Sequence, residues 1–123
     1  MLEHVNITVS NPEVTASNLC QLFGWTIRWS GRSSDGGLTI HVGSETSYVA
    51  IYSDGHTSSP GGRRDRITGG LNHVGVVVDD LAAVEVAVVS AGFSPHTHSD
   101  YEPGRRFYFD DHDGIEFEVV SYQ

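Results

Sequence analysis

The feature that most constrains this chain is an internal repeat. The pattern Leu-x-His-Val occurs at Leu2-Glu3-His4-Val5 and again at Leu71-Asn72-His73-Val74, 69 positions later (73 minus 4). A repeat of such a long period indicates a duplicated structural module rather than a short local motif. The sequence therefore predicts two copies of one supersecondary unit, each of which opens with a histidine followed by an apolar strand.

The length of 123 residues limits the architecture further. A chain of this size buries roughly two-thirds of the surface that its unfolded form exposes, so it folds without disulfides or a structural metal. We therefore expect a single domain over 1–123, with module 1 at 1–52, a linker at 53–70 and module 2 at 71–123. The linker segment is rich in glycine and serine and shows no periodicity, although a lid over a site is the alternative interpretation.

Charge and cysteine content exclude several functions. The net charge is −9 and lysine is absent, which rules out a Schiff-base lysine and a P-loop lysine. An acidic surface disfavours nucleic acid and anionic membranes as partners. Cys20 is the only cysteine, so no intrachain disulfide forms. No apolar stretch reaches bilayer length and no secretory signal opens the sequence, so we expect a cytoplasmic protein without a membrane partner.

The first module reads as β-α-β-β-β. Residues 4–9 alternate as a half-buried strand does, and Asn11-Pro12 forms a helix start that Gly24 closes. Three strands follow at 25–29, 38–42 and 48–52, with a turn-rich connection over 30–37.

The second module repeats this order. Its predicted strand is 71–78, and Asp79-Asp80 caps a helix over 81–91 that Gly92 closes. A short extended segment follows from Phe93 through His98. Strands at 105–110 and 115–120 flank a tight turn at 111–114. The two modules together predict an α+β protein whose mixed sheet forms a cup with the helices on its outer face.

Strand parity then predicts which side chains share a face. If the valines and isoleucine of the first strands pack under the helices together with Phe117 and Val119, then the polar residues point to the opposite, open face. These polar residues are His4, His73, Glu116 and Glu118. Two histidines and one carboxylate form the facial ligand set that binds a divalent metal and leaves three coordination positions open.

At this point the sequence resembles the vicinal oxygen chelate superfamily, which includes glyoxalase I, extradiol dioxygenases, fosfomycin resistance enzymes and bleomycin-binding proteins. The resemblance covers nearly the whole chain except 53–70. It rests on the two His-Val strand openings, on the helix exits Phe23-Gly24-Trp25 and Ala91-Gly92-Phe93, and on the segment 111–118. That last segment is similar to the family's Asp-Pro-Asp-Gly signature, with His112 in place of the proline.

The resemblance implies that His4, His73 and Glu118 bind the metal, which would be Fe(II), Mn(II), Zn(II) or Ni(II). One departure matters: the position of module 1 that matches Glu118 is Ala50, which cannot bind a metal. The four-ligand arrangement of glyoxalase I is therefore not expected. The remaining set is similar to that of extradiol dioxygenases and fosfomycin resistance enzymes.

Further residues are candidates for supporting roles, each with a structural alternative. Glu118 and Glu116 are candidates for acid–base catalysis, although Glu116 also fits an alternative metal ligand or a solvated strand edge. Tyr108 and Tyr52 are candidates to donate hydrogen bonds to a bound oxyanion, with packing as the alternative. His41 and Arg106 are candidates to line the cup and bind substrate, with a surface position as the alternative. We expect His56, His96, His98 and His112 to be surface or loop residues.

These expectations define two competing functions. The first is a metal-dependent enzyme that chelates vicinal oxygens of a small-molecule substrate, as a lyase or isomerase or as a ring-cleaving dioxygenase. The second is a non-catalytic small-molecule or antibiotic-binding protein that uses the same cup. The resemblance also implies a homodimer.

Overall fold

The computed structural model describes residues 1–58, 64–101 and 103–123. The chain falls into two compact units, Met1–Ser58 and Ser59–Gln123. Each unit contains one α-helix and a four-stranded mixed sheet, in the order β-α-β-β-β. The predicted α+β class and the duplicated module are confirmed. The cup, the single domain and the linker boundaries remain predictions, and residues 59–63 of that linker lie outside the described ranges.

The first unit is built on a sheet with the strand order β1-β4-β3-β2. Its elements are β1 His4–Thr8, α1 Pro12–Phe23, β2 Thr26–Arg32, β3 Leu38–Gly43 and β4 Tyr48–Ser53. β1 pairs with β4 in parallel, and the other neighbours are antiparallel. Helix α1 packs on one face, where Ile40, Val42 and Ile51 are buried.

The ends of α1 follow the predicted signals. The Asn11 side chain accepts a hydrogen bond from the Val14 amide at 3.3 Å, and Pro12 occupies the first turn, where its missing N–H is not needed. At the other end, Gly24 adopts φ 69°, a left-handed conformation that favours glycine, and its amide donates to the Cys20 carbonyl. Both caps are local, so the sequence suffices to predict them.

The second unit repeats this arrangement in a sheet of the order β5-β8-β7-β6. Its elements are a 3₁₀ turn Arg64–Arg66, β5 Val74–Val77, α2 Leu81–Ser90, β6 His96–Tyr101, β7 Gly104–Asp110 and β8 Glu116–Ser121. The Asp80 carboxylate caps α2 by accepting from the Ala83 amide at 3.0 Å. Phe107, Phe109, Phe117 and Val119 form the core beneath the sheet. Neither α-helix of the described ranges has the length and apolar character of a membrane span.

Several predicted boundaries were wrong. β2 runs on to Arg32, because Gly31 and Arg32 pair with β3 and only 33–37 turn the chain. β5 begins at Val74, so His73 lies just before the strand. The second strand of module 2 is β6, which continues to Tyr101, beyond the short extended segment predicted from Phe93 through His98.

Candidate functional site

Strand alternation divides the residues of β8 between two faces of its sheet. Phe117 and Val119 are 3% and 0% exposed and face the core, whereas Glu116 and Glu118 between them are half-buried. The parity predicted for β8 is therefore confirmed. On β1 the prediction fails in part, because Val5 is 44% exposed. The reason is that α1 packs against β2, β3 and β4 and leaves the edge strand β1 without a helix over it.

Glu118 lies at the centre of the open face of the second unit. Its Oε2 atom is 3.0 Å from His73 Nε2 and accepts a hydrogen bond from the Tyr108 hydroxyl at 3.1 Å. Its other oxygen, Oε1, accepts from Arg106 Nη1 at 2.9 Å. The Arg106 and Glu118 side chains are only 13% and 14% exposed, so this ion pair is largely withdrawn from water.

His73 is oriented from its other ring nitrogen. Nδ1 is 2.7 Å from the Asn72 side-chain oxygen, and the other ring nitrogen, Nε2, is directed at Glu118. In metal sites a histidine ligand is held in this way by a hydrogen bond from its non-ligating nitrogen. Sequence alignment of the two His-Val openings predicted the histidine but not the role of Asn72.

The spacing of the two donor atoms fits a metal. Ligand bonds of about 2.1 Å at right angles place two ligand atoms about 3.0 Å apart, and the Nε2 to Oε2 distance is 3.0 Å. An imidazole nitrogen and a carboxylate oxygen are also suitable donors for a first-row divalent metal. The residues of the second unit therefore fit two positions of such a site.

Tyr108 connects this pair to the rest of the face. Burial and the hydrogen bond to Glu118 raise the pKa of its phenol, so the hydroxyl remains protonated near neutral pH. Its ring meets His73 edge-on at 5.8 Å between centroids. The hydroxyl is thus held as a hydrogen-bond donor beside Glu118.

Arg106 has a partner that the sequence did not indicate. We predicted a substrate contact, and the structure places the guanidinium on Glu118 and over the Tyr101 ring at 5.1 Å. Its Nε atom is buried and has no hydrogen-bond partner among the described residues. Substrate binding by Arg106 therefore remains a prediction.

The open face of the first unit carries aromatic side chains, whereas that of the second unit carries charged side chains. His4 stacks on Tyr48 at 4.9 Å, Tyr48 on His41 at 4.5 Å, and Trp29 lies 5.0 Å from His41. The Arg28 guanidinium covers Tyr48 at 4.6 Å. Burial, followed by the nearby His4 and Arg28 charges, lowers the pKa of His41, so its imidazole is neutral near neutral pH.

Tyr52 belongs to the same face, but its hydroxyl is already engaged. It donates a hydrogen bond to the Asp35 carboxylate, and this bond is the main reason that the pKa of Tyr52 rises to about 12. Asp35 lies in the β2–β3 turn, where it also accepts from the Gly37 amide at 2.9 Å. The proposed contact of Tyr52 with substrate remains a prediction.

The strand registers show which positions of the two modules correspond. Glu118 lies opposite Gly75 on one side and Tyr108 on the other. In the first unit Ala50 lies opposite Asn6 and His41 in the same way. Ala50 therefore occupies the position of Glu118, as the sequence spacing predicted, and this row of the first sheet has no carboxylate.

Comparison with known proteins identifies the fold and the family. The sequence profile of the Glyoxalase/Bleomycin resistance protein/Dioxygenase superfamily matches residues 1–119. The chain belongs to this superfamily. No curated protein matches it significantly.

Solved structures show the same fold at low sequence identity. A glyoxylase/bleomycin resistance protein/dioxygenase domain from Frankia sp. EAN1pec has a TM-score of 0.82 at 19% identity and covers 100% of this chain and 98% of its own. Fosfomycin resistance protein FosX from Listeria monocytogenes has a TM-score of 0.74 at 15% identity and covers 100% of this chain and 94% of its own. A glyoxalase family protein from Enterococcus faecalis has a TM-score of 0.76 at 18% identity and covers 98% and 96%.

Proposed function

We propose that this superfamily member is a divalent-metal-dependent enzyme acting on a small molecule with vicinal oxygens. In this proposal His4, His73 and Glu118 hold the metal. The observation that carries it is the pairing of His73 and Glu118, whose donor atoms are 3.0 Å apart and whose orientations are set by Asn72 and by Tyr108. When bound, the metal supplies a Lewis acid that stabilises negative charge on the substrate oxygens.

The remaining chemistry comes from the side chains around Glu118. Tyr108 keeps its proton and donates it to Glu118, and in this proposal the hydroxyl turns to an oxyanion bound at the same face. Arg106 holds one carboxylate oxygen and leaves the other toward His73. Glu118 and Glu116 remain the candidate acid–base groups, within either a lyase or isomerase or a ring-cleaving dioxygenase. The homodimer and the cytoplasmic location also remain predictions.

A second candidate function is the non-catalytic binding protein. Arg106 neutralises Glu118 without any metal, and the open face of the first unit presents aromatic rings. A protein that only binds an aromatic ligand needs such rings and no metal. This alternative predicts that ligand binding is independent of His73.

Metal analysis separates the two functions. We expect His73→Ala and Glu118→Gln each to bind one ion fewer than wild-type protein when purified without chelator and measured by plasma emission. His56→Ala, at an exposed histidine of 53–58, is the matched control and should bind the wild-type amount. Oxygen uptake by the Fe(II)-loaded protein with a catechol then tests the dioxygenase within the enzyme class.

The opposite result has a clear meaning. If wild-type protein carries no metal that His73→Ala removes, and the variant binds small aromatic ligands unchanged, then the metal-dependent enzyme is wrong and the binding protein is favoured.

A further inference from the structure

A second group of metal-ligating side chains lies on the open face of the second unit. His96 is the first residue of β6, Asp110 the last of β7 and Glu116 the first of β8. One ligand atom from each lies within 4.8 Å of the others. None of these residues belongs to the set proposed above as metal ligands, and from the sequence we expected His96 on the surface or in a loop.

The strand registers explain why the three meet. Asp110 lies directly opposite Glu116 across β7 and β8, next to the turn 111–114. His96 lies opposite Tyr108, and Tyr108 and Asp110 are two residues apart on β7, so they share a face. The three side chains therefore extend from three adjacent strands to one side of the sheet.

The charges of this arrangement favour a cation. Two carboxylates directly opposite each other on neighbouring strands repel, which destabilises the pairing. The Nε2 atom of His96 is itself buried and has no hydrogen-bond partner among the described residues, although the side chain as a whole is 39% exposed. The Asp110 Oδ2 atom lies 3.5 Å away from it. A cation bound among the three groups would satisfy the nitrogen and relieve the repulsion.

The backbone holds His96 in this orientation. The register shifts between His96 and Ser99, and Thr97 within this bulge has φ 55°, which is unusual for a β-branched residue. The bulge brings the Thr97 hydroxyl to 2.9 Å from His96 Nδ1. With Nδ1 bound to this hydroxyl, Nε2 is the atom that is left to bind a metal.

We propose that His96, Asp110 and Glu116 bind a divalent cation at a site separate from His73 and Glu118. One imidazole and two carboxylates suit Mn(II), Fe(II) or Zn(II). The bound ion joins β6, β7 and β8 and so stabilises the sheet that carries Glu118. This inference does not depend on the proposed function.

Manganese binding tests it directly. Chelator-treated protein is titrated with MnCl₂, and free Mn(II) is measured by electron paramagnetic resonance. We expect His96→Ala and Glu116→Gln each to lose one ion per chain, or to bind it at least about ten-fold more weakly. His98→Ala is the matched control, because His98 lies on the same strand but bonds to Glu85 instead, and it should bind like wild type.

The same titration distinguishes this site from the one proposed above. Loss of an ion in His96→Ala but not in His73→Ala supports the present site and contradicts the other, and the reverse pattern does the opposite. If His96→Ala and Glu116→Gln bind Mn(II) with wild-type number and affinity, the inference is wrong. Paramagnetic broadening of the Ser99 and Asp110 amide resonances in wild-type protein provides a readout that requires no variant, and its absence would also overturn the site.

Discussion

Removal of the Glu118 carboxylate should destabilise the second unit far more than removal of an exposed one. Its ion pair with Arg106 is 2.9 Å long, and both side chains are less than one-sixth exposed, at 13% and 14%. Breaking a buried pair leaves an uncompensated charge and costs about 3–5 kcal/mol when burial is complete. Because the pair retains some solvent contact, we expect Glu118→Ala to lower the free energy of unfolding by about 3 kcal/mol.

Glu85 provides a matched control. It pairs with His98 on the same unit, but the two side chains are 38% and 58% exposed. Such surface pairs contribute about 0–1 kcal/mol. Glu85→Ala should therefore change the stability by less than about 1 kcal/mol.

Amide hydrogen exchange is the appropriate assay, because it reports on individual amides of β8, whereas both tryptophans, Trp25 and Trp29, lie in the first unit. In chelator-treated protein, the slowest amides of β8 should exchange about 100-fold faster in Glu118→Ala. A second variant isolates the pair: Arg106→Met combined with Glu118→Ala should cost about 2 kcal/mol less than the two single changes added together. Equal exchange in Glu118→Ala and Glu85→Ala would refute the reasoning.

Three further predictions concern single residues. The Tyr52 phenol has a pKa of about 12, above its ordinary 10.0, because Asp35 accepts its proton in a hydrogen bond. The stability that this bond supplies is thus complete at neutral pH and declines as the pH rises from 10 through about 12. In an ultraviolet titration the component near 12 should disappear in Tyr52→Phe and move lower in Asp35→Asn. Phe107→Ala should cost about 3–5 kcal/mol, measured by hydrogen exchange, because the ring is 1% exposed. Gly43→Ala should cost about 1–3 kcal/mol in tryptophan-monitored urea unfolding, because its Cβ would lie 2.4 Å from the Ser47 carbonyl oxygen.

Local signals accounted for most of the fold. Period-2 alternation on β8 placed Glu118 on the face opposite Phe117 and Val119, and the caps at Asn11 and Asp80 defined both helix starts. These features depend only on residues close in sequence, so a single chain suffices to predict them. The repeat then showed which positions of the two modules correspond, such as Ala50 and Glu118, and no local pattern contains this information.

The ion pair between Arg106 and Glu118 could not be predicted from local sequence patterns alone. The turn at 111–114 sets the register of β7 on β8 and places Tyr108 opposite Glu118, with Arg106 two residues before it on the same face. The sequence indicates this strand register, because the turn residues are recognisable. It does not indicate the ion pair, because the ion pair depends on side-chain orientation. We therefore predicted a surface or substrate role for Arg106.

His96 could not have been placed from the sequence. Its position depends on a bulge in which Thr97 adopts a positive φ, a conformation that steric clashes make rare for β-branched residues. A regular strand through His96 and His98 would have given both histidines the same face. The bulge separates them, so that His96 approaches Asp110 while His98 pairs with Glu85.

The asymmetry between the modules limits the chemistry of the proposed metal site. Ala50 occupies the register position of Glu118, and His41, at the position of Tyr108, is neutral near neutral pH because burial lowers its pKa. In the ligand set proposed above, Glu118 is the single carboxylate, so a divalent metal held there would retain a positive charge. Such a centre favours a substrate that binds through two oxygens as an anion over a neutral one, because the substrate completes the charge balance. An anionic bidentate ligand should therefore inhibit the wild-type protein strongly, and its neutral methyl ether should inhibit it only weakly.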